Sequence, residues 1–167
     1  MDLILSWQED GARLEWGAGK RRAAIGTGGI GLKGGEGDGI TPQGKFAARE
    51  ILYRADRIVK PQTLLRLRAI QKDDGWCDAP NDPNYNRPVK LPYPASAEHM
   101  WRQDHLYDLV AVLGYNDDPV VPAKGSAIFL HLAHTDYAHT QGCVALNYCD
   151  ALGAITQLKP SDHIVIG

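Results

Sequence analysis

Apolar and polar positions alternate loosely over residues 2–7, break at Glu9-Asp10-Gly11, and resume from Arg13 to Trp16. Period-two alternation is the strand signal, and an Asp-Gly step between two such runs marks a hairpin. The same reading gives a short strand over Arg21–Ile25 and a longer one over Lys45–Tyr53. Further strands follow over Leu64–Ile70, Leu106–Tyr115, Ala127–Leu132 and Asp162–Ile166. The run from Leu109 on is almost wholly apolar, as in a central strand covered on both faces. Only Asn147–Leu158 spaces its apolar residues (Leu152, Ile155, Leu158) like a helix, and Lys159-Pro160 ends it. Ser96 followed by Glu98 suggests a second, short capped helix over Ser96–Arg102. The pattern predicts a mainly β chain, a β-sandwich with one or two short helices.

Two stretches carry no periodicity. Gly26–Gly44 is dense in glycine. A phosphate-cradling loop needs Gly-Lys-Ser/Thr opening a helix, which is absent, so the glycines read as tight turns with positive φ. Thr41-Pro42-Gln43-Gly44 reads as a turn into the next strand. Asp73–Pro94 is too long for a plain connection, and long ordered loops are usually functional; Trp76 and Tyr85 are candidates to pin it to the body. There is no internal repeat and no sign of a second domain, so one domain over residues 1–167 is expected.

The 167 residues suffice for a real core. A net charge of −2 gives no bulk attraction to nucleic acid or an anionic membrane surface. No stretch approaches the roughly 20 apolar residues of a membrane helix. The first ten residues lack a basic region and a long apolar core, so no signal peptide is expected in this chain and a cytoplasmic location stands as one option. Three cysteines, Cys77, Cys143 and Cys149, are too few and too odd in number for a disulfide framework. A monomer is expected.

The chemistry concentrates in residues 126–149. A buried strand delivers His131, and a Gly142-Cys143 turn follows shortly after it. An imidazole beside a thiol makes a nucleophile, because a free thiol is mostly protonated at neutral pH. A helix starting near Leu146 would aim its N-terminus at this turn, lower the thiol pKa and form an oxyanion hole with the backbone N–H groups of Gly142 and Cys143. A rival is a metal site of His131, His134, His139 and Cys143, ligand types that zinc accepts at a spacing that matches no familiar zinc pattern. A third reading leaves His131 as a core histidine and His134 and His139 as solvent-facing loop residues.

Gly37-Asp38-Gly39-Ile40-Thr41-Pro42-Gln43-Gly44-Lys45-Phe46 resembles the Gly-Asp-Gly-x-Thr-Pro-x-Gly-x-Phe signature of the YkuD-type L,D-transpeptidases. His131 with Thr140-Gln141-Gly142-Cys143 resembles that family's His followed by Ser/Thr-x-Gly-Cys. Asp74-Gly75-Trp76-Cys77-Asp78, Tyr85-Asn86-Arg87 and Tyr107-Asp108 look like its short, single-domain branch. The resemblance implies Cys143 as nucleophile, His131 as general base, Gly142 as the turn before the thiol and Thr140 as the motif's hydroxyl. It implies no metal or organic cofactor, and peptidoglycan stem peptides as substrate, met in the periplasm or cell envelope. Carbapenems would acylate the same sulfur.

Three positions depart from the family pattern. Gln141 stands where His is common, Leu132 where Gly is common, and Ala145 where an Arg thought to hold substrate is common. Arg87 in the long loop is the candidate replacement. Tyr85, Asn86, Tyr107 and Asn116 are further candidates to line the cleft, with Thr140 and Gln141. The expected activity is acyl transfer through a thioester, giving 3–3 cross-links, or L,D-carboxypeptidase products with water. A thiol hydrolase of soluble muropeptides or another amide, and a wall-binding module without turnover, are the alternatives.

Overall fold

The computed structural model describes residues 1–167 as fourteen strands and one helix. The alternation of Leu3, Leu5, Ala12, Leu14 and Trp16 buries one face of the opening hairpin, β1 (Leu3–Gln8) and β2 (Gly11–Trp16). Gln8 pairs with Gly11, so the expected hairpin turns on Glu9 and Asp10 alone, and Gly11, expected in the turn, opens β2. β3 (Gly19–Arg22) extends the hairpin. In the glycine-dense stretch β4 (Ile30–Gly31) lies parallel to β5 (Thr41–Pro42), and β6 (Gly44–Tyr53) leaves it.

Next come β7 (Leu67–Ala69), β8 (Asp74–Cys77), β9 (Pro88–Lys90) and β10 (Ala97–His99). β11 (Leu109–Leu113), β12 (Phe129–Leu132) and β13 (Val144–Leu146) precede α1 (Tyr148–Gln157), and β14 (His163–Ile166) closes the chain.

The main sheet runs β13-β12-β11-β6-β14-β1-β2-β3, with β7 also on β6. β6 is its pivot, since its first half pairs with β14 and its second with β11 and β7. The two ends of this order meet. Just past β3, Ala24 exchanges both backbone hydrogen bonds with Ala145 of β13, at 2.8 and 2.9 Å. The sheet therefore curls round a core that includes Leu3, Ile51, Leu130, Val144 and Ile164, and α1 buries Ala151, Ala154 and Ile155 there. Asn147 caps α1, accepting from the Asp150 N–H at 2.9 Å. No helix is long and apolar enough to cross a membrane.

The mainly β expectation holds, and so does the helix expected over Asn147–Leu158. The helix expected over Ser96–Arg102 does not form. Ala97–His99 is strand β10, antiparallel to β8. A capping box needs the acid three residues after the serine, and Glu98 lies two after Ser96. The long Asp73–Pro94 segment also carries structure, contributing β8 and β9 to a three-stranded sheet with β10. This small sheet, with Trp76, Tyr107 and Phe129, forms a second core on the other face of β11 and β12.

Ile51 is fully buried at the pivot strand. Ile51→Ala should cost about 2–5 kcal/mol of stability, as large-to-small core changes do. Trp7→Ala, at a position 61% exposed, should stay within about 0.5 kcal/mol. Chemical denaturation of both variants measures the contrast.

Candidate active site

β12 and β13 run parallel, with Leu130 beside Val144 and His131 beside Ala145. Extending that register by one residue sets Phe129 beside Cys143. Strand side chains alternate between faces, so His131 and Cys143 share one face while Leu130, Leu132, Val144 and Leu146 point into the larger core. As diagonal neighbours on adjacent parallel strands their Cα atoms lie roughly 8 Å apart, within reach of an imidazole and a thiol. Both side chains line one cleft of about 440 Å³.

Gly142 makes this arrangement possible. Its φ is +134°, and a Cβ there would stand 2.8 Å from the Ile40 carbonyl oxygen. The two sequence motifs thus touch at this point. The first motif is itself tied down by Asp38, which accepts from the Ile40 and Gly34 N–H groups at 2.9 and 2.8 Å and pairs with Lys33 at 2.5 Å. Burial alone would push the Asp38 carboxyl up, but the Lys33 ammonium and the backbone donors bring it down to about 2. Thr41 accepts from the Gly26 N–H at 2.8 Å, and Thr140 donates to the Cys143 carbonyl at 2.7 Å while accepting from the Gly142 N–H at 3.1 Å.

The sulfur lies against backbone. It accepts from the Phe129 N–H at 3.4 Å and donates to the Ala127 carbonyl at 3.2 Å. Burial, followed by the Glu98 carboxyl, pushes the thiol up to about 12. His131 is buried too, and burial brings its imidazole down to about 4. Its Nδ1 is 2.8 Å from the Leu132 carbonyl. A carbonyl only accepts, so Nδ1 carries the hydrogen and Nε2 is left with the lone pair. Both shifts favour a neutral thiol beside a neutral imidazole, not the thiolate expected from the sequence. The Tyr107 ring packs edge-on against the imidazole, with centroids 5.3 Å apart, and its hydroxyl donates to Glu98.

The YkuD family model, described as the L,D-transpeptidase catalytic domain, matches residues 3–166. The chain belongs to this family. No curated protein and no solved structure matches it.

Within this L,D-transpeptidase domain the sequence-selected residues divide. Cys143, His131, Thr140, Gln141 and Tyr107 line the cleft. Asn86 does not serve it: its amide takes the Trp76 indole and the Ala127 N–H on oxygen and donates to the Tyr115 and Asn116 carbonyls, which makes it a structural clamp. Asn116 is spent inside its own loop on Val121 and Gly125. Buried Tyr85 supports the cleft from behind, donating to Glu36 and accepting from the Gly125 N–H at 2.9 Å. Arg87 is exposed and lines a separate cleft with Arg49, Arg66 and Asp117, so it does not stand in for the missing Arg.

The helix contribution also differs. Cys143 is followed by β13, and α1 starts only after its Asn147 cap, roughly 13 Å along the strand from Cys143. The positive end of α1 is therefore not at the sulfur. The Gly142 N–H is engaged by Thr140, whereas the Cys143 N–H has no acceptor. No three His, Cys, Asp or Glu side chains are placed to share one ion, and His139 instead faces the Ile25 carbonyl at 3.3 Å. Sequence reading passed over Lys33, Glu36, Asp78, Glu98, Ser126 and Arg102, all on the cleft. The lone lysine among the glycines was the one available signal.

Gly142→Ala should destabilise the protein by about 1–3 kcal/mol, the cost of a strained backbone against a fixed carbonyl, read by chemical denaturation. His131 supplies a pH test. The unfolded imidazole takes a proton below its ordinary 6.5 and the folded one only near 4, so stability is present above 6.5 and falls as pH drops through that window. The full loss is on the order of 3 kcal/mol. Denaturation midpoints measured across this range should fall more steeply for the wild type than for His131→Gln.

Proposed function

We propose that Cys143 is the nucleophile of a cysteine-dependent L,D-transpeptidase acting on peptidoglycan stem peptides, with residues 1–167 forming one catalytic domain. The thiol attacks the carbonyl of the bond between diaminopimelate and the terminal D-Ala. As the S–C bond forms, the thiol proton passes to His131 Nε2. That proton then goes to the nitrogen of the breaking C–N bond, and D-Ala leaves. The resulting thioester is resolved by the amine of a second stem, which gives a 3–3 cross-link, or by water, which gives a tripeptide. The Cys143 N–H, without an acceptor, is the backbone donor for the oxyanion.

The observation that carries this reading is the shared sheet face of His131 and Cys143 over one cleft, with the His131 tautomer leaving Nε2 as the acceptor. A thiol pushed up to about 12 is a weak spontaneous nucleophile, so proton transfer to His131 accompanies attack rather than preceding it. With Arg87 on another cleft, Arg102 is the guanidinium for the substrate carboxylate; its Nε and one amino nitrogen hold Asp104 at 2.8 and 2.6 Å, and its other amino nitrogen remains to donate. The reading sets the activity in the cell envelope, where the substrate is. Carbapenems, whose strained amide is opened by the same attack, would acylate Cys143.

Mass spectrometry of purified tetrapeptide muropeptides after incubation tests this. Dimers or tripeptides with free D-Ala are expected from the wild type. Cys143→Ala should give neither, and turnover surviving in that variant would overturn the mechanism.

A further inference from the structure

One wall of the cleft carries chemistry that acyl transfer does not use. Glu36, Asp78 and Glu98 all line it. Lys33 pairs with Asp38 at 2.5 Å and Arg102 keeps one amino nitrogen free beside its 2.6 Å pairing with Asp104, and none of the three carboxylates has an ion-pair partner within reach. Glu36 and Glu98 each receive one tyrosine hydroxyl, from Tyr85 and Tyr107. Two polar atoms on the same cleft have no partner at all. Asp78 Oδ1 is out of contact with solvent and unbonded, and so is the hydroxyl of Ser126, a residue only 7% exposed.

Buried acceptors are normally satisfied, and an orphan inside a binding cleft marks where a ligand donor belongs. The carboxylates also sense one another. Burial pushes the Glu98 carboxyl up; the Tyr107 hydroxyl and the Arg102 guanidinium pull it back down, and Asp78 and Glu36 add smaller upward contributions. A positive charge between them would relieve that repulsion. A metal ion does not fit, because the carboxylates do not converge on a point. An aliphatic ammonium does fit, with one charge and three donors that spread over a wider wall.

We propose that Glu36, Asp78 and Ser126, with Glu98 behind them, form a subsite for the free side-chain ammonium of the diamino acid that carries the scissile carbonyl. This rests on the acyl-transfer reading for the identity of the peptide. It predicts selectivity for stems whose side-chain amine is unmodified and not already cross-linked.

The test uses two tetrapeptides that differ only by acetylation of that amine. Calorimetric titration into the Cys143→Ala protein should give at least tenfold tighter binding of the free amine at low salt. The advantage should shrink on adding salt and largely vanish in Glu36→Gln and Asp78→Asn, each made in the Cys143→Ala protein. Glu36 is exposed, so its variant keeps the fold, as circular dichroism would verify. Equal affinity for the two peptides, or a preference untouched by both substitutions, overturns the ammonium subsite. Release of D-Ala by the wild type is followed in parallel. Discrimination without release leaves the subsite standing and removes the acyl-transfer reading; release without discrimination does the reverse.

Discussion

The Cys143 sulfur is wedged between the Phe129 N–H and the Ala127 carbonyl, on a cleft wall where the residue is only 9% exposed. That placement decides the chemistry. A charged sulfur there would lose its hydration and gain one weak backbone donor, so the proton stays on. The same buried wall keeps His131 neutral, and the Leu132 carbonyl selects its tautomer. A resting ion pair, the usual picture for a cysteine beside a histidine, is the arrangement this environment disfavours. In the proposed mechanism proton transfer coincides with bond formation, when the negative charge moves from sulfur to a carbonyl oxygen that the Cys143 N–H would meet.

The fold serves this one contact from several directions. β12 and β13 lie parallel at one end of the sheet, which puts imidazole and thiol on one face. The Ala24–Ala145 exchange closes the sheet and fixes β13 from its other edge. The Gly37–Phe46 motif lies nearly a hundred residues before Cys143 in sequence, yet its Ile40 carbonyl sits under Gly142 and leaves no room for a side chain. Lys33, buried in its pairing with Asp38, donates to that carbonyl at 3.2 Å and holds it in place. The first motif is thus a rest for the backbone that presents the thiol, and its glycines are there for turns, as their pattern suggested.

Most strands were legible because each buries one face, and period two survives in sequence whenever one face is wet. The elements that were missed are short and depend on distant partners. β10 exists because it pairs with β8, and nothing local in Ala97–His99 announces that. β13 is three apolar residues that run straight into α1, so Val144–Leu146 reads as the start of a helix until β12 is seen beside it. The site divided along the same line. Cys143, His131 and Gly142 were picked out as candidates through a local motif. Glu36, Asp78, Glu98 and Arg102 come from three separate segments that only the tertiary structure brings to one cleft. Arg87 was misplaced for the converse reason: a long loop has no direction in sequence.

The protonation state of Cys143 tests the account most directly. It is read from the ultraviolet thiolate absorbance of the wild type minus that of Cys143→Ser, followed over a pH titration. The account predicts no thiolate from this residue at neutral pH and its appearance only in strongly alkaline solution, near the limit of the fold. A thiolate signal already present at neutral pH, lost when His131 is replaced by Gln, would contradict it and restore the resting ion pair.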